Sequence, residues 1–309
     1  MSKPFRFGVS AFLASGSDDW KGKARQMEDM GYATLVIADH FGPGVAPFSA
    51  MGVAAAATET LRVGTFVLDN DLRHPAIVAK ELATLDILSD GRVEAGIGAG
   101  WKLQDYTQTG IPFDPPGVRV SRLEEALTIM KGFWTQERFS FSGEHYEVKD
   151  LEGLPKVVQS PHPPVFIGGG GNRILGIAGR EADIVGMLAK TKADGSGVDD
   201  SDATEEGLER RLGILREAAG DRFERLELNL LVQFVRITDD VDTEARKIAE
   251  EWETDDETIL GMPEGLIGSK QQIVDKLQRL RADFGISYFT VFGDAYEDFA
   301  PIVAELAGA

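Results

Sequence analysis

Short apolar runs alternate along this chain with longer stretches whose apolar residues recur every three or four positions. Residues 5–10, 34–38, 62–68, 92–97, 164–168, 183–187, 226–237 and 287–292 read as strands. Most of these runs are continuous rather than alternating, the pattern of strands buried on both faces. Residues 18–30, 47–60, 75–88, 121–134, 172–180, 209–219, 271–284 and 297–306 read as helices, with two shorter ones at 243–253 and 254–260. Leu123, Leu127, Met130 and Trp134 carry the helical period of one. Pro75 suits the first turn of another, where its missing N–H costs nothing. Ser17 or Asp18 is the expected cap of the first helix and Gly31 its stop. Residues 138–148 alternate around Ser142-Gly143-Glu144 and predict a hairpin. Residues 193–206 are polar and acidic and predict a loop.

Eight strands, most followed by helices, predict the α/β class: a single (β/α)8 TIM barrel over 1–309, with insertions near 101–120, 138–162 and 188–207. A length of 309 residues also suits two domains, but no Pro/Ser-rich linker divides the chain. The hydrophobic share, 43%, is enough for one large core. Charge and cysteine content narrow the function. Thirty-two basic residues against 51 acidic leave −19, which repels phosphate backbones, so no nucleic-acid partner is expected. The chain has no cysteine, which excludes a disulfide scaffold and a thiol nucleophile. No uncharged apolar run reaches the roughly 18 residues of a membrane span. Residues 1–10 lack the basic-then-apolar layout of a leader. A cytoplasmic protein with no membrane partner is the expectation.

In a barrel, chemistry sits in the loops after the strands. Asp39 and His40 follow the second strand, where a histidine is placed to exchange protons, or to pack as a hydrogen-bonded core residue. Asp69, Asn70, Asp71, Arg73 and His74 follow the third. Their spacing completes no metal loop, so loop capping is preferred and no metal is expected. Gly96-Ile97-Gly98-Ala99-Gly100-Trp101 follows the fourth, where glycines let backbone approach a planar ligand and Trp101 can stack on it or simply pack. Gly168 to Gly171, then Asn172 and Arg173, follow the fifth. Four glycines entering a helix suit an anion site, to which Arg173 can add a charge-assisted contact, and this is preferred over a flexible strand-to-helix turn because four exceed what a turn needs. His145 and His162 are expected at the surface. No G-x-S-x-G elbow supports a serine hydrolase.

Taken in order, several segments resemble the bacterial luciferase-like superfamily, specifically its coenzyme F420-dependent oxidoreductases. They are Ser10-Ala11-Phe12, Ile37-Ala38-Asp39-His40-Phe41, Gly64-Thr65-Phe66-Val67-Leu68, Gly96 through Trp101, Arg122-Leu123-Glu124-Glu125-Ala126-Leu127, Phe141-Ser142-Gly143-Glu144-His145-Tyr146, and Ile167 through Arg173 followed by Ala182-Asp183. The resemblance implies a (β/α)8 barrel with F420, or alternatively FMN, ring in the mouth and phosphate in the glycine loop. It implies His40 at the reaction centre, and cofactor contacts at Asp39, Phe66, Val67, Asp69, Ala99, Gly100, Gln104, Gly170, Gly171, Arg173 and Ile174. A non-proline cis peptide would fall at Phe66-Val67. Lys190 and Lys192 join Arg173 as candidates for an anionic tail.

The chain departs from the family's sugar-phosphate dehydrogenase at Trp101, where that enzyme has a catalytic glutamate. Oxidation of glucose 6-phosphate is therefore not expected. Asp69 replaces a hydroxyl residue of the family. Phe12, Phe41, Trp101 and Phe113 suggest a pocket for a hydrophobic or conjugated small molecule. The expected function is hydride transfer between F420 and such a substrate. The alternatives are an FMN-dependent monooxygenase and a non-catalytic flavin or F420 binder. A separate F420- or flavin-reducing enzyme and a homodimer are the expected partners.

Overall fold

The continuous apolar runs close into a parallel barrel. The computed structural model describes residues 3–309; residues 1 and 2, which begin the segment expected to carry no leader, and the side chain of Asp200 in the acidic loop lie outside the described residues. The first barrel strands are β1 (Arg6–Ser10), β2 (Thr34–Ile37), β3 (Arg62–Thr65), its continuation β4 (Leu68–Asp69), and β5 (Val93–Gly98). An antiparallel hairpin, β6 (Arg138–Ser142) and β7 (Glu147–Glu152), stands outside the barrel. The barrel resumes with β8 (Val165–Gly168), β9 (Ile184–Gly186) and β10 (Glu227–Leu231). A second excursion pairs β11 (Phe234–Ile237) in parallel with β12 (Gly265–Gly268). Finally β13 (Ile286–Phe292) lies between β10 and β1 and closes the ring. With β3 and β4 counted as one interrupted strand, this is a closed eight-stranded barrel.

The surrounding helices are α1 (Ser17–Asp29), α2 (Pro47–Ala57), α3 (Pro75–Leu88), α4 (Leu103–Thr109), α5 (Pro116–Thr135) and α6 (Asn172–Glu181). They continue with α7 (Glu205–Ala219), α8 (Val241–Glu251), α9 (Asp256–Gly261), α10 (Lys270–Phe284) and α11 (Tyr296–Leu306). Strand side chains pointing outward meet these helices in one continuous core. Those pointing inward fill the barrel: Val36, Phe66, Phe166, Ile184 and Tyr288 are buried together, with the Phe66 and Phe166 rings 4.6 Å apart. The N-terminal end of the barrel is closed by ions. Arg6 pairs with Glu94, with Glu227 at 2.7 Å, and lies 3.9 Å over the Tyr288 ring. Arg62 adds a second contact to Glu94 at 2.9 Å, so this fully buried carboxylate has two cations.

Four expectations change. The run 226–237 is not one strand: β10 leaves the barrel at Leu231 and β11 begins a separate pair, so an excursion between barrel strands also occurs at Phe234–Gly268. There Phe234, Ala245, Ile248, Ala249, Ile259 and Met262 form their own small core. The loop after β5 contains α4, and α5 begins five residues before the expected start. The cap of α1 is Gly16, with no side-chain bond, rather than Ser17 or Asp18. His145 and His162 are half-buried rather than surface residues; the His162 ring lies 5.7 Å from that of Trp134.

Candidate active site

The C-terminal ends of the strands bring a network of charged side chains to the barrel mouth. Asp39, just after β2, is buried. Arg73 grips its carboxylate at 2.5 and 2.9 Å, and the Asp69 N–H donates to it at 3.1 Å. A bidentate arginine fixes both oxygens of the carboxylate in one plane. His40 is the adjoining residue. Its Nδ1 lies 2.6 Å from Oδ2 of Asp105 in α4. The other oxygen of Asp105 accepts the Phe41 N–H at 3.1 Å. Asp105 is 2% exposed, whereas the His40 side chain is 38% exposed. The Trp101 ring meets the imidazole edge-on at 5.7 Å.

A second cluster lies beside the first. Asp69 ends β4 and accepts the Tyr106 hydroxyl at 3.0 Å and the Asp71 N–H at 2.9 Å. Burial pushes its carboxyl up to about 6, reinforced by the neighbouring charges of Asp71 and Asp39 and opposed by those two hydrogen bonds. Burial likewise raises the Tyr106 hydroxyl well above its ordinary value, with Asp69 and Asp71 adding to the effect. Gly100 makes this contact possible. At φ +73° it adopts the left-handed conformation, and a Cβ there would overlap Tyr106 Oη and fall 2.5 Å from both oxygens of Asp69. Buried Arg119 donates to Gly100 O and lies 4.1 Å over the Phe113 ring. Arg122 bridges Asp71 at 2.7 Å and Asp114 at 2.5 Å. The insertion after β5 is therefore tied to the barrel rim by three aromatic or cationic side chains.

Between these clusters the mouth has an apolar floor. Val67, Leu188 and Leu231 are partly exposed on top of the buried interior layer. The peptide bond Phe66-Val67 is cis, at the break between β3 and β4. On the far side, the glycine loop is half covered by the segment after β9. A Cβ at Gly170 would overlap Leu188 O and fall 2.6 Å from Lys190 N. Gly171, which precedes α6, has nothing within 4 Å of such a Cβ. Gly195 of the same covering segment packs on Trp101 O, Leu103 N and the Phe113 ring. Buried Asp202 anchors that segment: it accepts the Lys190 N–H at 2.8 Å and pairs with Arg210 at 2.7 Å and fully buried Arg211 at 2.9 Å. Arg211 also meets buried Glu264, next to β12, at 3.4 Å.

The mouth thus gathers Asp39, His40, Val67, Asp69, Ala99, Gly100 and Trp101. Phe12 and Phe41 stand exposed at its rim, 36% and 50%. Other candidates make further contacts around the mouth or stand exposed. Phe66 contributes backbone to the rim, while its ring fills the interior. Gln104 is exposed, and Ile174 packs beneath Gly169. The Phe113 ring meets the Tyr106 ring edge-on at 4.8 Å. Arg173 donates to Gly117 O at 2.9 Å and faces Glu124 at 3.4 Å. Among the described residues no three His, Cys, Asp or Glu side chains are placed to hold a metal ion. Sequence reasoning missed Asp105, Tyr106, Arg119 and Arg122. Asp105 and Tyr106 lie in the short α4 and Arg119 and Arg122 in the first turns of α5; Arg122 stood in a segment that carried the resemblance, but no ligand or ion-pair role was read for it.

Comparison with known proteins agrees with this architecture. A profile of the luciferase-like monooxygenase family matches residues 6–288. An F420-dependent glucose-6-phosphate dehydrogenase of Intrasporangium calvum is 34% identical over 186 residues, 53% of this chain and 55% of that protein. An FMNH(2)-dependent dimethylsulfone monooxygenase of Pseudomonas putida is 38% identical over 128 residues, 41% of this chain and 35% of that protein. The chain spans about half the length or less of these curated relatives. The solved structure of a coenzyme F420-dependent tetrahydromethanopterin reductase from Methanopyrus kandleri superposes with a TM-score of 0.79 over 98% of both chains at 18% identity, which is a likeness of fold. With the family profile covering nearly every barrel strand, the chain belongs to the luciferase-like monooxygenase family.

Proposed function

We propose that this protein is an F420-dependent oxidoreductase that moves hydride between the deazaflavin ring and a small hydrophobic or conjugated organic molecule. The observation that carries this reading is the half-exposed His40, held by a buried carboxylate beside an apolar floor of Val67, Leu188 and Leu231. That floor suits a flat ring, and the uncovered Gly171 at the start of α6 suits a phosphate. Asp39, Asp69, Ala99 and Gly100 would line the ring's edge, with Gly170, Gly171 and Ile174 at the phosphate. Arg173, Lys190 and Lys192 would meet an anionic tail. Bound there, the deazaflavin supplies the hydride chemistry.

The chain's own residues orient the substrate and handle the proton. His40 holds or moves a proton at the ring nitrogen that Asp105 does not engage. Trp101 excludes water and offers an aromatic wall, extended by Phe12 and Phe41. An indole accepts no proton, so this wall separates the chain from the sugar-phosphate activity named for its relatives. A separate enzyme that reduces the cofactor, a homodimer and a cytoplasmic setting belong to the same proposal.

The second reading, an FMN-dependent monooxygenase, draws on the dimethylsulfone monooxygenase relative and on a glycine loop that suits either phosphate. Fluorescence titration with F420 and with FMN separates the two. Micromolar F420 binding, followed by stopped-flow oxidation of reduced F420 by an enone, quinone or imine, is the expected result. Binding of FMN alone favours the monooxygenase. Binding without turnover across the panel favours a non-catalytic carrier. His40→Ala should abolish turnover while leaving binding within about threefold.

A further inference from the structure

The contact between His40 and Asp105 holds more information than proximity. Asp105 is 2% exposed, and each of its oxygens is committed: Oδ1 to the Phe41 N–H at 3.1 Å, Oδ2 to His40 Nδ1 at 2.6 Å. A carboxylate is an acceptor only, so the hydrogen between Asp105 and His40 must sit on Nδ1. In the neutral imidazole this leaves Nε2, the ring nitrogen not engaged by Asp105, with its lone pair, on a side chain that is 38% exposed.

We infer that Asp105 is the positioning residue of this site: it fixes His40 in the Nδ1–H tautomer and presents Nε2 at the barrel mouth as a proton acceptor. The catalytic consequence rests on the functional reading above, whereas the tautomer itself does not. A site presenting a lone pair takes a substrate or product with a proton-bearing heteroatom, a hydroxyl or amine, at that point. A molecule reacting only through carbon would gain nothing from it. The aspartate of a Ser-His-Asp triad orients its histidine in the same way.

The second hydrogen bond makes the inference testable. In Asp105→Asn the Phe41 N–H still needs an acceptor, so the amide oxygen takes that place. The amide NH2 is then directed at His40 Nδ1. A donor facing Nδ1 forces the opposite tautomer, with the hydrogen on Nε2. The substitution preserves size and inverts the proton.

The experiment reads ring nitrogen shifts and couplings of histidine by long-range 1H–15N correlation at a pH where the ring is neutral. The chain has four histidines, and the resonance lost in His40→Ala gives the assignment. The expected result is an Nδ1–H ring in the wild type and an Nε2–H ring in Asp105→Asn. Turnover by Asp105→Asn should fall about 10²-fold or more in kcat with KM little changed. Asp105→Glu, which keeps an acceptor, should restore part of it. A wild-type His40 that averages between tautomers, or an Asp105→Asn ring identical to wild type, overturns the inference. The wild-type spectrum decides even where Asp105→Asn does not fold. A locked tautomer in a protein that turns over nothing refutes the functional reading alone.

Discussion

The carboxyl of Asp69 makes stability depend on pH in a direction opposite to that of an ion-paired aspartate such as Asp202. Its side chain is 9% exposed, and burial raises it from 3.8 to about 6. In the unfolded chain it titrates near its ordinary value. The folded protein therefore holds this proton more tightly than the unfolded chain does. Below about pH 4 the carboxyl is protonated in both states and its burial is tolerated in full. As pH rises toward and past 6, the unfolded chain ionises first and the folded state loses ground. A gap of about two pH units at roughly 1.36 kcal/mol each amounts to ~3 kcal/mol by pH 7.5. Asp69→Asn removes the titration and keeps the shape. The assay is urea unfolding of both proteins at pH 4 and pH 7.5. The difference in stability, variant minus wild type, should move in favour of the variant by about 2–3 kcal/mol between the two. Any fixed cost of the amide cancels in this comparison. A difference that stays level within 0.5 kcal/mol, or moves the other way, would show that Asp69 is not desolvated as described.

Three further substitutions test the packing of the mouth. Gly100→Ala places a methyl group against Tyr106 Oη and Asp69, and should cost about 3–5 kcal/mol, with partial recovery when combined with Tyr106→Phe; unfolding of the two singles and the double measures the coupling. Arg211→Met leaves Asp202 and Glu264 buried without their shared cation and should cost about 3–5 kcal/mol, read by urea unfolding. Gly170→Ala presses on the backbone of Leu188 and Lys190 and should cost roughly 1–3 kcal/mol while weakening cofactor binding, seen in a thermal scan and in fluorescence quenching.

The barrel was legible because strands buried on both faces leave unbroken apolar runs, and eight strands, most followed by helices, fit one (β/α)8 barrel. The same signal failed where one run served two partners. Residues 226–237 hold no glycine or proline that would mark a break, yet β10 packs inside the barrel and β11 against β12. Strand β12, four residues long and set between helices, is too short to announce a period. At the site, His40 and Asp39 were readable from their place after a strand. Asp105 was not, since an acid in the polar stretch of α4 looks like a solvated surface until the fold brings His40, 65 positions away, against it. Arg211 was not legible for the same reason: an arginine in a charged helix is ordinarily exposed, and only the fold reveals it as wholly buried.

Arg211 also sets a rule for anyone recombining this scaffold. Its two carboxylate partners come from stretches that a loop graft would treat as separate parts: Asp202 in the segment that covers the glycine loop, Glu264 at the edge of the β11–β12 pair. Importing either stretch from a relative that lacks the matching acid would strand a guanidinium in the interior. The segment covering the glycine loop, the edge of the β11–β12 pair and α7 consequently behave as one heritable unit, and a chimera that respects loop boundaries but divides this trio should fold poorly however well its sequences align.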